Sequence, residues 1–120
     1  MSEFEEVLRV RRETSGTAVV VSAEGEVDQA TAGLFHRELL RALAEVGPPS
    51  PVVVDLSGVE FFGSAGLNEL VLAHVQAELL GAQLRVVAQH REVLRPLRIT
   101  GLDEQLHLSP TVDAALGTPV

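Results

Sequence analysis

Strand-type and helix-type patterns alternate along the chain, and their order predicts an architecture. Phe4 to Arg12 contains the apolar–polar alternation of a half-exposed strand. Glu13 to Gly16 has turn composition, and a second strand is predicted from Thr17 to Ala23. Because only a short turn separates these two strands, we expect an antiparallel hairpin.

The next segments indicate a helix and a buried strand. Apolar residues at helical spacing predict a helix from Ala30 to Val46, with Asp28 as its N-cap and Gly47-Pro48-Pro49 as its end. The apolar run from Pro51 to Leu56 is bounded by turn residues. Such a run is typical of a central strand that is covered on both faces.

The remaining patterns complete an α/β fold. They predict a helix from Ser64 to Leu80, a buried strand from Gln83 to Ala88, a helix from His90 to Ile99 and a last short helix from Thr111 to Leu116. The two strand–helix–strand units imply right-handed parallel crossovers. The predicted fold class is therefore α/β: a mixed, mostly parallel sheet with an antiparallel edge strand and helices packed against it.

Composition and charge narrow the range of partners. The 120 residues, 46% of them hydrophobic and 22% charged, predict a single domain over residues 1–120. The formal charge of −8 and the absence of lysine leave no basic face for nucleic acid. No apolar run reaches the roughly 20 residues of a membrane helix, and the acidic start MSEFEE differs from a signal peptide. We therefore expect a cytoplasmic protein that binds neither nucleic acid nor membrane.

Candidate metal and acid–base residues do not combine into a site. The chain has no cysteine, and its four histidines lack metal-site spacing, so they are expected on the surface: His36, His74, His90 and His107. Asp55 ends a buried strand, where α/β folds place their sites. Hydrogen bonding to the following loop is the favoured interpretation of Asp55. We predict neither a metal site nor a catalytic residue.

Enzyme motifs are likewise absent from the sequence. A phosphate-binding Walker loop requires a lysine. The segment Gly63 to Gly66 reads G-S-x-G, whereas the hydrolase elbow reads G-x-S-x-G. We therefore expect a protein that is not an enzyme and that carries no cofactor, with a small nucleotide-binding protein or hydrolase as a further alternative.

Ser64, at the start of the second helix, has two interpretations. Serine is a preferred N-cap, and spacing alone favours that structural role. Alternatively, Ser64 accepts a phosphoryl group, because a phosphoserine at a helix N-terminus meets free N–H groups and the positive end of the helix dipole.

The segment Asp55 to Leu67, DLSGVEFFGSAGL, resembles the signature of STAS domains, particularly those of anti-sigma factor antagonists. Three other segments agree with this family in order and spacing. They are Gly25-Glu26-Val27-Asp28 with Thr31, Leu84 to Val87, and Ile99 to Asp103. The resemblance covers nearly the whole chain, from about Phe4 to Leu116, and implies a single STAS domain with a core from about 4 to 116.

The resemblance also implies a function and a set of partners. Members of this family bind an anti-sigma factor that is also a serine kinase, and they release it when that kinase phosphorylates them. A metal-dependent serine phosphatase reverses the modification. The phosphorylated serine corresponds to Ser64. The implied partner-binding residues are Asp28, Gly58, Phe62, Gly63, Ser64, Ala65 and Leu67.

The sequence departs from the family pattern immediately before Ser64. The family commonly has aspartate at this position, and this chain has Gly63. Without this carboxylate, the resemblance does not by itself imply that a kinase recognises Ser64, although the implied fold is unaffected. The alternative function that keeps the fold is a STAS scaffold without a switch, or an accessory subunit of a lipid-transport or stress-signalling complex.

Overall fold

The computed structural model describes residues 7–119, which form five strands and five helices. In chain order the elements are β1 (Leu8–Ser15), β2 (Ala18–Val27), α1 (Ala32–Glu45), β3 (Pro51–Phe62), α2 (Ser64–Leu79), β4 (Gln83–Val87), α3 (Arg91–Ile99), α4 (Leu102–Gln105), β5 (His107–Ser109) and α5 (Val112–Gly117). Among the described residues, no helix combines the length and apolar character that a membrane crossing requires.

The strands lie in the sheet in the same order as in the sequence, β1-β2-β3-β4-β5. β1 and β2 form an antiparallel hairpin that closes at the pair Ser15 and Ala18, and the other three pairings are parallel. This arrangement confirms the predicted α/β fold, with its mostly parallel sheet and antiparallel edge strand.

The two faces of the sheet are covered unequally. On one face, α1, α2 and α3 pack against the main core, which includes Phe35, Leu70 and Val54. On the other face, α5 covers a smaller cluster in which Val53 contacts Ala115 and its neighbours. Because β3 is buried on both faces, its apolar run does not alternate, as the sequence predicted.

A buried arginine holds the C-terminal segment on the face that α5 covers. Arg85 on β4 is fully buried, and burial lowers its pKa. Its Nη1 donates to the carbonyl oxygens of Ala115 at 2.5 Å and Thr118 at 2.9 Å, and Nη2 donates to that of Pro119 at 3.3 Å. Nη2 also donates to the side-chain oxygen of Gln83 at 2.8 Å. The guanidinium therefore connects β4 to α5 and to the residues that follow it.

β3 is longer than the sequence predicted. The expected strand ended at Leu56 and was followed by a loop, but β3 continues to Phe62, and β2 continues to Val27 rather than ending at Ala23. The added residues remain paired with one another, with register shifts after Ser22 and Gly25. Polar and glycine residues break the apolar run here, so the pattern resembled a loop although the backbone is extended.

The predicted hairpin is present, but its limits differ. β1 runs to Ser15 instead of ending at Arg12, so the turn is Gly16-Thr17 and not Glu13 to Gly16. Gly16 has φ = 60°, a left-handed conformation that glycine adopts readily. The predicted start at Phe4 lies outside the described residues.

Two helix starts also differ from the predictions. The residue before α1 is Thr31, so Asp28 is not its N-cap. The Asp28 carboxylate instead closes a turn that precedes the helix, by accepting from the N–H groups of Ala30 and Thr31. The residue before α2 is Gly63, so Ser64 is the first helical residue and not a cap.

α4 and β5 were not predicted from the sequence. α4 has four residues and β5 has three, so neither is long enough to show a periodicity. β5 extends the parallel sheet beside β4, and its Ser109 is buried.

Candidate functional site

The ends of two neighbouring parallel strands form the candidate site. Val27 ends β2 and pairs with Phe62, which ends β3, and the N–H of Gly63 donates to the carbonyl oxygen of Val27 at 2.9 Å. The residues that follow the two strands therefore meet at one edge of the sheet. They line a surface depression of about 400 Å³, formed by Asp28, Gln29, Phe61, Gly63, Ser64, Ala65 and Asn68.

Ser64 is exposed at the N-terminus of α2. α2 has no side-chain cap hydrogen bond. Gly66 and Leu67 donate their N–H groups to the Gly63 carbonyl, which leaves those of Ser64 and Ala65 without a backbone acceptor in the same part of the chain. An anion at this position would meet free donors and the positive end of the helix dipole.

Asp28 is held in place by its own turn. Its Oδ1 accepts from the N–H of Ala30 at 2.9 Å and from the N–H of Thr31 at 3.1 Å. The buried Thr31 hydroxyl donates to the Glu26 carbonyl at 2.9 Å and accepts from the Asp28 N–H at 3.0 Å. The Asp28 carboxylate is thereby fixed at the rim of the depression, whose lining has no basic side chain.

Gly25, the first residue of the Gly-Glu-Val-Asp segment, lies at a position where a side chain does not fit. It has φ = +108°, and a Cβ built on it would lie 1.9 Å from the carbonyl oxygen of Val7. β1 therefore approaches β2 more closely here than any residue with a side chain allows.

Two of the residues implied by the resemblance lie in the core. Phe62 is 3% exposed and packs edge-on against Phe35, with ring centroids 6.2 Å apart, and Leu67 is also buried. Phe61, which the sequence analysis did not single out, is 51% exposed and lines the depression. Neighbouring strand residues point to opposite faces, but the register shifts in β3 prevented an assignment from the sequence.

Gly58 lies apart from the other implied residues. It lines a separate depression with His90 and Glu92, beside the start of α3. Phe62 is four positions beyond Gly58, which is about 13 Å along the strand. The structure therefore brings together Asp28, Gly63, Ser64 and Ala65, but it does not place Gly58 with them.

Gly63 does not require a glycine conformation. Its φ of −90° and ψ of −177° are open to any residue. A Cβ at this position would lie 3.1 Å from Cε2 of Phe61 and 3.6 Å from the Val27 carbonyl oxygen. Because Phe61 is half-exposed, its ring can shift to accommodate a side chain.

The candidate acid–base residues have structural partners. The Asp55 Oδ1 accepts from the N–H of Ser57 at 3.0 Å and from its hydroxyl at 2.6 Å, in agreement with the role favoured from the sequence. Nδ1 of His36 lies 2.5 Å from Oε1 of Glu69, and this contact joins α1 to α2. Nε2 of His90 lies 2.5 Å from the carbonyl oxygen of Val59. Within residues 7–119, no three such side chains are grouped as a metal ion would require.

Comparison with known proteins identifies the family. The STAS domain model matches residues 9–115, and the chain belongs to the STAS domain family. It is similar to the anti-sigma-F factor antagonist RsfB of Mycobacterium tuberculosis, with 35% identity over 99 residues that cover 81% of this chain and 77% of RsfB. RsfA of the same organism, also an anti-sigma-F factor antagonist, is 30% identical over 100 residues, which cover 83% of this chain and 78% of RsfA.

A solved structure agrees with this assignment. The crystal structure of an anti-sigma factor antagonist from Mycobacterium paratuberculosis matches with a TM-score of 0.79 and 36% sequence identity, over 91% of each chain. The resemblance stated from the sequence motifs is therefore confirmed.

Proposed function

We propose that this protein is an anti-sigma factor antagonist that is switched by phosphorylation of Ser64. The unphosphorylated protein binds an anti-sigma factor with serine kinase activity and so releases a sigma factor for transcription. Phosphorylation ends this binding, and a metal-dependent serine phosphatase restores it. The protein acts in the cytoplasm through these contacts, with no catalytic group or cofactor of its own.

The observation that carries this proposal is the exposed Ser64 hydroxyl at the start of α2, inside a depression bordered by Asp28. A kinase can reach this hydroxyl without unfolding the helix. The free N–H groups of the first turn offset part of the charge of a phosphate, so the modified protein stays folded.

The same phosphate opposes binding of a partner. Ser64, Phe61, Ala65 and Asn68 lie on one surface, which a partner must dehydrate when it docks. A dianion at Ser64 resists that loss of water, and it lies beside the fixed carboxylate of Asp28. Phe61, rather than the buried Phe62, supplies the apolar contact at the centre of this surface.

The proposal is tested by incubating the full chain with its cognate anti-sigma factor kinase and ATP. We expect one added phosphate, located by mass spectrometry in the peptide that contains Ser64. The matched control is Ser57→Ala, which removes another exposed serine but should still accept one phosphate. Phosphate on Ser57, or no phosphate at all, would contradict the assignment.

Calorimetry with the same kinase tests the effect on binding. Ser64→Ala should keep the affinity, and it should change the free energy of unfolding by less than about 0.5 kcal/mol, because no cap is lost. Ser64→Asp should weaken binding by more than tenfold, because the charge must shed its water. Equal affinities would show that Ser64 lies outside the interface, and binding without phosphorylation would favour a scaffold that does not switch.

A further inference from the structure

The outward face of α3 carries a short row of arginines. Arg91, Arg95 and Arg98 are all exposed, and their spacing places them on one side of the helix. Val93 and Leu97 lie on the opposite side, in the core. We call the three arginines the α3 basic stripe, which is about 10 Å long. The formal charge of −8 predicted no basic face, and the stripe is a local exception to that charge.

The stripe has no counterion within residues 7–119. In that part of the chain, the arginines that form ion pairs with glutamates are Arg11, Arg12 and Arg41. Arg85 donates to carbonyl oxygens instead. The three guanidinium groups of the stripe are therefore open to an external carboxylate, which an arginine can bind through two parallel hydrogen bonds.

The stripe weakens the helix that carries it. Arg91 is the first residue of α3, where the positive end of the helix dipole disfavours a cation. Arg95 lies four residues after Arg91 and three residues before Arg98, so it faces a like charge on both sides. The stability of the fold therefore does not account for this arrangement, whereas a binding role does.

Carboxylates border the stripe at both ends. Glu60 and Glu92 line the depression at the start of α3, and Asp103 and Glu104 lie in α4, which packs against α3. A nucleic acid or an anionic membrane carries a long run of negative charge, which these carboxylates would repel. A segment whose carboxylates span only about 10 Å, or two turns of a helix, contacts the arginines alone.

An apolar side chain adjoins the stripe. Ile99 is 73% exposed and follows Arg95 by four residues, so it lies on the same side of the helix. Arginine beside an apolar contact is typical of protein–protein interfaces. We propose that the α3 basic stripe and Ile99 dock an acidic amphipathic helix of a partner protein.

This docking surface is separate from the candidate site. The residues that line the depression around Ser64 come from β3, from α2 and from the turn that follows β2, and none belongs to α3. The proposal therefore does not depend on phosphorylation of Ser64, and its test needs no kinase.

A titration of the ¹⁵N-labelled full chain, followed by NMR, tests the proposal. The probe is a designed helical peptide with three glutamates at positions i, i+4 and i+7 and a leucine beside them. We expect amide shifts concentrated on α3, with a dissociation constant between about 10 µM and 1 mM. A peptide with glutamine at the three positions should bind at least tenfold more weakly, and raising NaCl from about 50 to about 500 mM should also weaken binding.

A variant of the stripe separates binding from folding. Arg91→Glu should weaken binding of the acidic peptide tenfold or more and should raise the melting temperature, because it removes the repulsion with Arg95 and suits the helix dipole. The matched control is Arg37→Glu on α1, an exposed arginine whose replacement makes the same change in net charge and should leave the affinity within twofold. Equal weakening by the two variants would overturn the proposal.

The same titration tests the other classes of partner. Vesicles of phosphatidylserine and phosphatidylcholine, and a DNA duplex, should cause no shifts on α3. Shifts on α3 with either of them at concentrations comparable to those of the peptide would overturn the assignment to an acidic protein segment. Equal affinity for the glutamate and glutamine peptides would do the same.

Discussion

At the scale of a single residue, Gly63 is a position where a substitution should affect the phosphorylation of Ser64 more than the stability of the fold. Its backbone angles suit any residue, and only the movable Phe61 ring lies close to the position of a Cβ. Gly63→Asp should therefore change the free energy of unfolding by less than about 1 kcal/mol, because the N-cap gained offsets the shift of Phe61. We expect faster phosphorylation of Ser64, because a capped first turn holds the serine hydroxyl in one orientation.

The measurement pairs thermal melting with the initial phosphorylation rate by the same kinase. Gly63→Asn is the matched control, since it has nearly the same size and can also cap the helix but carries no charge. A rate increase in both variants would assign the effect to the cap, and an increase in Gly63→Asp alone would assign it to the carboxylate. Identical rates in the wild-type protein and in both variants would show that the kinase phosphorylates Ser64 equally well whether glycine or aspartate precedes it.

At the scale of an element, Gly66 sets how closely α2 lies on the sheet. A Cβ on Gly66 would come within 2.8 Å of both Phe62 and Val27. Gly66→Ala should therefore destabilise the protein by about 1–3 kcal/mol through overpacking. Gly33, in the first turn of α1, has no atom within 4 Å of the same position, so Gly33→Ala should stabilise by up to about 1 kcal/mol.

Chemical denaturation of the two variants measures this difference. Both substitutions replace a helical glycine with alanine, so the helix propensity gained is similar and the opposite signs report packing alone. Equal stabilisation by the two alanines would mean that α2 can move away from the sheet without loss.

The same scale shows what the sequence could predict. Long elements with strong apolar patterns, such as α1 and α2, were predicted to within two residues at each end. The second half of β3 has the pattern of a loop, because Ser57, Gly58 and Glu60 break the apolar run, although the backbone there is extended. Ser64, Gly63 and Asp28 were recognisable from the motif, whereas the exposure of Phe61 depends on register shifts that only the folded sheet defines.

At the scale of the whole molecule, Arg85 holds α5 against one face of the sheet. Among the described residues, α5 covers the cluster around Val53, and the Arg85 guanidinium donates hydrogen bonds to the carbonyls of Ala115, Thr118 and Pro119. Arg85→Met keeps an apolar stem but leaves these carbonyls without their donor. We expect a loss of about 1–3 kcal/mol in the free energy of unfolding.

Hydrogen exchange distinguishes a local from a global effect of Arg85→Met. Amides of α5 should lose more protection than those of β2 and β3, because the guanidinium acts on the C-terminal segment. Arg85→Lys, which keeps a charge but not the forked donors, should give an intermediate result. Unchanged protection in α5 would show that its apolar contacts suffice to hold it.

The strand order β1-β2-β3-β4-β5 has a consequence for how the chain is made. Each strand pairs with the one synthesised just before it, so no strand must later be inserted between two that are already joined. A ribosome adds about 5–20 residues per second, whereas a hairpin forms within microseconds. The sheet can therefore grow from one edge during translation, and α5 closes over Val53 after the strands before it have paired.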